Sequence, residues 1–327
     1  MRSYIERRSP RVGLYLRMAS RYGKMLAGNS YAHRDQDLGK HFVPGRLCGY
    51  YNDLSFKTEW QGPVDHAGLP LLRSPGKKLI HHPIVLLQKA LGHWDSWLGS
   101  EGQSPEHRAS FLQIATWALG SQDDNGGWET WLRLGIPNAL PYSAMAQGEA
   151  MSVLVRAFSA TGEDAYLEGA RRALAPMLLP IEKGGTSWRA PEGLILEEVP
   201  FREPKTILNG WVFALYGLYD LVIADGSQDA RKALDDTLSA LLARLRAYDA
   251  GFWSFYDTSR TLASPFYHRL HIAQLEALGL SFPERAGRFR ELGETFRRQL
   301  ASRPNVARAV TLKSYQKLRR PPAGLRP

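Results

Sequence analysis

From His81 to about residue 301, apolar residues recur three and four positions apart, and Gly and Pro interrupt the pattern. That spacing lines one face of an α-helix. It predicts helices over about 83–98, 104–121, 142–161, 163–178, 207–224, 227–247, 265–279 and 283–301. Ser104 offers a capping hydroxyl ahead of Pro105 and Glu106, Phe282, Pro283 and Glu284 open the last helix, and Gly99, Gly120 and Gly162 stand where helices should stop. Eight helices in four successive hairpins predict a mainly α fold: an α/α toroid, an incomplete barrel of about four helix hairpins whose inner ends surround a cleft. A helical solenoid is the alternative, but no fixed repeat length supports it. Residues 29–79 are rich in Gly, Pro, Asp and His and contain short extended runs, LCGYYNDLSF and VDHAGLPLL, so loops and short strands are expected there. The chain divides into an N-terminal basic arm and irregular, short-strand segment (1–79), a helical domain (80–302) and a basic C-terminal tail (303–327).

Composition narrows the partners. With 327 residues, 44% of them apolar, the chain can bury a substantial core. Nine Trp and fourteen Tyr supply flat rings, which serve either that core or the walls of a sugar site. A net charge of +10 favours acidic partners: a polyanionic carbohydrate, a nucleic acid or an anionic membrane surface. Neither a zinc-finger spacing nor an RNP-like aromatic strand is present, so no nucleic-acid partner is expected. The single cysteine, Cys48, excludes an intramolecular disulfide and a Cys-based metal cluster. No run approaches a membrane span and the N-terminus lacks a signal-peptide core, so a cytoplasmic location is expected. Arg2, Arg7, Arg8, Arg11, Arg17, Arg21 and Lys24 form either a solvated arm or a peripheral contact with anionic lipid.

Candidate chemistry concentrates in residues 264–280, SPFYHRLHIAQLEALGL, where helical spacing places Tyr267, His271 and Gln274 on one face beside a Leu270, Leu275 and Leu278 stripe. These rings either meet a ligand or are ordinary half-buried amphipathic residues. His268 and His271 are one turn apart, but a metal would need a third ligand that the sequence does not identify, and neither metal nor cofactor is expected. In PYSAMAQGEAM, the small residues Ala144, Ala146, Gly148 and Ala150 serve tight helix packing or a slim inner wall, leaving Tyr142, Gln147 and Glu149 as candidate contacts. Asn209 in LNGW is placed to reach a ligand, with Gly210 allowing close approach. QDDNGGW (122–128) reads as punctuation at a helix end rather than a cation site, because Asp123 and Asp124 lack further ligands.

Seven collinear stretches, HHPIVLLQKALGHWD, QDDNGGW, YSAMAQGEAMSVLVRAF, LEEVP, LNGWVFALYGLYDL, SFYD and FYHRLHIAQLEAL, together resemble the C-terminal catalytic domain of D-glucuronyl C5-epimerases over about 80–300. These enzymes invert glucuronate to iduronate in heparan-type chains. The resemblance implies a helical toroid, an acidic, uronate-bearing polysaccharide or lipid-linked oligosaccharide as partner and, commonly, a homodimer. In the family, three tyrosines and a glutamate surround the reacting sugar. The glutamate falls on Glu198, but the tyrosine after it is replaced by Val199. The second tyrosine falls on Tyr256, followed by Asp257, with the family's arginine displaced from Ser259 to Arg260; the third falls on Tyr267, followed by His268. Tyr142, His268 and His271 are the residues available to replace the phenol missing at Val199.

C5 epimerisation removes a proton beside a carboxylate and returns one to the opposite face, which requires an acid, a base and a counter-charge. A phenol ionises only near pH ~10, so a cation should stand beside it, with Arg260, Arg269 and Arg202 as candidates. The reading is therefore an isomerase with Tyr256, Tyr267 and Glu198 catalytic and Tyr142, Gln147, Asn209, Arg260, His268 and His271 contacting substrate. A uronate lyase would begin with the same proton abstraction. A non-catalytic polysaccharide-binding or assembly protein is the reading that Val199 favours. A glycosidase lacks a convincing second carboxylate.

Overall fold

Pro83, Pro105 and Pro265 each stand in the first turn of a helix, where a missing N–H costs no bond, and Gly162 and Gly226 take positive φ where two helices end. These signals survive in the computed structural model, which describes residues 34–74, 76 and 78–319. Its principal helices are α1 (Pro83–Gly99), α2 (Pro105–Ser121), α3 (Ala144–Thr161), α4 (Asp164–Arg172), α5 (Leu174–Leu178), α6 (Leu208–Asp225), α7 (Gln228–Arg244), α8 (Pro265–Ser281), α9 (Ala286–Ala301) and α10 (Arg303–Arg319). α1 packs on α3, α3 on α6 and α6 on α8, while α2, α4, α7 and α9 cover the outer side of that arc. Four inner and four outer helices make the expected incomplete toroid. Two short antiparallel hairpins complete it: β1 (Leu72–Arg73) with β2 (Leu79–Ile80), and β3 (Ser187–Ala190) with β4 (Gly193–Leu196), in which Ser187 faces Leu196.

The closest helix contact is the seam between α3 and α6. A Cβ on Gly217 would lie 2.3 Å from the Cα of Gly148, and one on Gly148 would lie 2.6 Å from the carbonyl oxygen of Phe213, so neither position admits a side chain without separating the backbones. The small residues of this stretch therefore serve helix packing. Two turns further along α3, the buried Arg156 guanidinium reaches Asp220 of α6 at 2.5 Å and donates to the Cys48 carbonyl at 3.2 Å. Tyr51 donates to the same aspartate at 2.9 Å while its ring stacks on Tyr216 at 3.9 Å. Loop 48–51 is thus fastened to the seam.

Three boundaries differ from expectation. The segment 163–178 breaks into α4 and α5 at Ala173, the end of the 227–247 helix tightens into a 3-10 turn at Leu245–Tyr248, and Pro283–Arg285 form a 3-10 turn ahead of α9. Ser104 precedes α2 without its side chain capping the helix. The larger correction concerns the basic tail: residues 303–319 are helical and pack on α8 and α9. Val306, Ala309, Lys313 and Gln316 recur at helical spacing toward the protein; Ala309 enters a small cluster with Trp253, Leu262 and Ala263, and Gln316 accepts the Leu262 N–H at 3.0 Å. The basic arm at 2–24 and Arg320 lie outside the described residues. Among the described residues, no helix is long and apolar enough to cross a membrane.

The Arg156–Asp220 pair makes the seam testable. Asp220→Ala leaves a buried guanidinium without its counter-charge and is expected to lower the unfolding free energy by about 3–5 kcal/mol, read from urea denaturation. Replacing both partners together by apolar residues of similar volume is expected to recover most of that loss.

Candidate functional site

The site forms where the first turns of inner helices α3, α6 and α8 meet the loops before them. The Ala144 N–H donates to the Glu197 carbonyl at 3.0 Å, the Leu208 N–H to the Tyr256 carbonyl at 3.1 Å, and the Trp131 indole to the Glu198 carbonyl at 2.8 Å. Backbone at 197–198 and at 256 is thereby clamped to the ends of two helices. Helix N-termini carry partial positive charge, which suits an anionic ligand.

Tyr256 and Tyr267, eleven positions apart in sequence, meet here with ring centroids 4.6 Å apart and planes at 55°, and their phenols share a hydrogen bond. Both remain partly open. Burial, then the nearby Glu198 and Tyr267, holds the Tyr256 phenol well above its ordinary range, so it is neutral near pH 7. Glu198 is 8% exposed, and its Oε2 has no hydrogen-bond partner among the described residues. Burial and the adjacent Glu197 push its carboxyl up to about 8. A Cβ on Gly210 would lie 2.2 Å from that Oε2, so α6 passes beneath the carboxyl only because it carries glycine there. Glu197 plays a different part: its Oε1 accepts from the Trp188 indole at 2.8 Å and from Thr206 at 2.5 Å, which braces the loop against the β3–β4 hairpin.

A strip of buried polar groups continues from Glu198 across the inner helices. On α3, Glu149 accepts from Gln88 of α1 at 2.9 Å through Oε1, while Oε2 is unpartnered among the described residues. Burial keeps this carboxyl well above its ordinary range, and Glu198 adds to the shift. Lys57 lies within electrostatic reach of Glu149, with its ammonium pushed down to about 8 by burial. The Asn209 and Gln274 side-chain oxygens and both ring nitrogens of His82 also lack partners among the described residues. Gln274 donates to the Asn209 carbonyl at 3.1 Å, joining α8 to α6. Buried polar atoms are nearly always paired, so these acceptors call for hydrogen-bond donors supplied by water or by a ligand. Among the described residues, no group of three or more His, Cys, Asp or Glu side chains converges as a metal site.

The expected site residues separate into two groups. Glu198, Tyr256 and Tyr267 come together, and Asn209 precedes Gly210, the residue that passes beneath the Glu198 carboxyl. Tyr142 and Gln147 instead belong to the helix-end clasp at 122–128. The Tyr142 hydroxyl donates to Asp123 at 2.7 Å and accepts from Asn125 at 3.1 Å; Gln147 donates to the carbonyls of Gly126 and Ala173 and accepts the Trp128 N–H. Asp123 also accepts from the N–H groups of Asn125 and Gly127. His268 is a structural strut: its ring stacks on Trp253 at 3.7 Å, Nδ1 lies 2.8 Å from the Ser254 hydroxyl, and Nε2 lies 3.0 Å from the Phe296 carbonyl. His271 is fully buried, with Nδ1 3.0 Å from the same hydroxyl. Burial lowers the two rings to about 4 and about 3, leaving both neutral.

The expected arginines do not supply the cation beside Tyr256. Arg260 is exposed on a left-handed turn residue, Arg269 pairs with Asp35 at 2.7 Å, and Arg202 is exposed. The ammonium of Lys313, from α10, stands 5.8 Å from the Tyr256 ring centroid instead. Sequence reading places Lys313 only among the charges of the basic tail, and it does not single out Lys57, Gln88 or His82. For Lys313, the one signal is the helical spacing it shares with Val306, Ala309 and Gln316, a face too polar to stand out as an apolar stripe. A groove of about 1020 Å³ between α4–α5, the β3–β4 hairpin and α7 is lined by Arg171, Trp188, Arg189, Lys232 and Asp236 and lies apart from these phenols.

Removing the His268 ring tests its role as a strut. His268→Ala is expected to cost about 2–4 kcal/mol in urea unfolding, because a stacked, doubly bonded ring is replaced by a cavity. An unchanged midpoint would contradict that role.

Residues 122–287, which carry Glu198, Tyr256 and Tyr267, match the family model of the D-glucuronyl C5-epimerase C-terminus. A D-glucuronyl C5-epimerase of Caenorhabditis elegans is 30% identical over 196 residues, 52% of this chain and 32% of that protein. An uncharacterized protein of Methanocaldococcus jannaschii is 29% identical over 136 residues, 40% of this chain and 44% of that one. The matched chain spans less than half the length of either relative. Since the family match takes in half of the sequence, the chain belongs to the D-glucuronyl C5-epimerase C-terminal family.

Proposed function

We propose that this protein is an isomerase that inverts D-glucuronate to L-iduronate, or a related uronate pair, within an acidic polysaccharide or a lipid-linked oligosaccharide. The observation that carries the reading is the hydrogen-bonded pair Tyr256–Tyr267 beside the buried carboxyl of Glu198, at the positive ends of inner helices. Family membership supports epimerase-like chemistry.

The relative acidities support a division of roles. Glu198 titrates near 8 and Tyr256 well above 10, so Glu198 loses its proton first and a neutral phenol remains as the acid. A base that titrates near the working pH combines availability with driving force. In the forward step, the C5–H bond breaks, the proton passes to the Glu198 carboxylate, and the bonding electrons move into the substrate carboxylate as an enediolate. Tyr256 then returns a proton to C5 from the opposite face, and Tyr267 stabilises the resulting phenolate through its hydrogen bond. Proton transfer from Glu198 to that phenolate restores the resting state and is downhill, since the carboxyl is the stronger acid. In this scheme Glu198 takes the place opposite Tyr256 that Val199 cannot serve. Asn209 and Gln274 offer unpartnered oxygens to the sugar hydroxyls.

The test is incubation of a glucuronate-bearing polysaccharide in D2O, with deuterium at C5 and iduronate measured by NMR. Tyr256→Phe is expected to reduce exchange by roughly 10²-fold or more, and Glu198→Gln comparably. At saturating substrate, the rate should climb as pH rises through about 8, where Glu198 becomes a carboxylate. Absence of exchange across glucuronate polymers would overturn the proposal, and appearance of an unsaturated uronate would reassign the protein as a lyase. Unchanged function in Tyr256→Phe and Tyr267→Phe would point to a non-catalytic binding role.

A further inference from the structure

We propose that Lys313 of α10 is the substrate-carboxylate site, the residue by which this protein distinguishes a uronate from a neutral sugar. The inference rests on the uronate reading given above and adds to it a residue beyond the 122–287 family match.

Lys313 is only 8% exposed, yet its ammonium makes no salt bridge or hydrogen bond with the described residues. Lysines are rarely buried without a counter-charge, because removing an ammonium from water is unfavourable unless an anion replaces the lost solvation. What this ammonium does face is the ring of Tyr256, 5.8 Å from its centroid. The other charged groups within electrostatic reach are Asp257, which favours the ammonium, and Lys317, one turn along α10, which opposes it. Asp257 forms no salt bridge with it; the carboxylate's Oδ1 accepts from the Ser259 hydroxyl at 2.7 Å and from the Thr261 N–H at 3.1 Å. The cation therefore stands beside the phenol with no carboxylate paired to it directly, and Asp257 acts on it only at longer range. An anion arriving from substrate completes the pair.

The backbone holds this position firmly. Three residues beyond Lys313, Gln316 accepts the Leu262 N–H at 3.0 Å and donates to the Arg260 carbonyl at 3.4 Å, pinning α10 to the turn that follows Tyr256. One turn before it, Ala309 is buried against Trp253 and Leu262. These contacts fix the ammonium and the phenol in one frame. In a uronate the carboxylate is bonded to C5, so a group that abstracts or returns the C5 proton must work within a few ångströms of that carboxylate. A lysine beside Tyr256 satisfies this geometry. The same charge then offsets the second negative charge that develops on the carboxylate as C5 loses its proton.

The experiment measures binding, by calorimetry near pH 7, of a glucuronate-bearing oligosaccharide and of its carboxyl-reduced, glucose-bearing counterpart. Wild-type protein is expected to favour the glucuronate form by roughly ten- to a hundredfold, the range of one charge-assisted contact. Lys313→Met should bring that ratio close to one while leaving affinity for the reduced sugar unchanged, and Lys313→Arg should keep part of it. Should Lys313→Met fail to fold, the wild-type ratio measured in rising salt and at alkaline pH replaces it, together with the NMR shift of the Lys313 ε-carbon on adding each sugar. A preserved ratio in folded Lys313→Met, an unmoved ε-carbon signal with the glucuronate form, or no wild-type preference overturns the proposal. Failure of the isomerase reading is seen separately: a carboxylate preference that depends on Lys313 without C5 exchange in D2O keeps the anion site and removes the reaction.

Discussion

The site depends on the parallel seam of α3 and α6, where two glycines let the backbones touch and a buried Arg156–Asp220 pair locks their relative height. Shifting one helix against the other would break an ion pair that has no water to replace it. Because Gly148 precedes Glu149, and Asn209 and Gly210 open α6, this registration also sets the spacing between two carboxyls and the helix end beneath them. Loop 48–51 adds a third component through Tyr51, which both stacks on Tyr216 and bonds to Asp220. Rigid packing remote from the phenols therefore determines geometry at the phenols.

A second constraint is electrostatic. Glu149 and Glu198 are buried within reach of each other's charge, and both are displaced toward the neutral form. Lys57 and Lys313 are displaced in the complementary direction, each toward the neutral amine. Glu198, Lys57 and Lys313 are thus each drawn to about 8, whereas His82, His268 and His271 are held neutral. Burial alone is the leading cause in every case. The chain reaches this state by placing polar groups on the inner faces of helices whose remaining positions are packed.

Much of the helical layout was legible because long, amphipathic or wholly apolar segments such as LNGWVFALYGLYDL leave few alternatives. The meeting of Tyr256 and Tyr267 could not be read from periodicity, since Tyr256 lies in a bridged loop rather than on the helix that carries Tyr267; it came from resemblance to the family. His268 and His271 show the limit of spacing arguments. One-turn separation is the same whether the rings face a ligand or, as here, a serine hydroxyl and a packed indole. Tyr142 and Gln147 were misplaced for a related reason: the groups they satisfy are backbone atoms of a turn and its aspartate, which no pattern of side chains reveals. α10 escaped detection because its inward face is built from Val, Ala, Lys and Gln, too polar to register as an amphipathic stripe.

The groups gathered at this centre come from Lys57, Glu149, Glu198, Tyr256 and Lys313, so nearly the whole described chain must be in place before they assemble. Such high contact order delays formation of the centre relative to the local helical hairpins, which close over short loops. Docking of α10 is what brings Lys313 beside Tyr256, so any change that loosens α10 from the 260–262 turn is transmitted to that phenol.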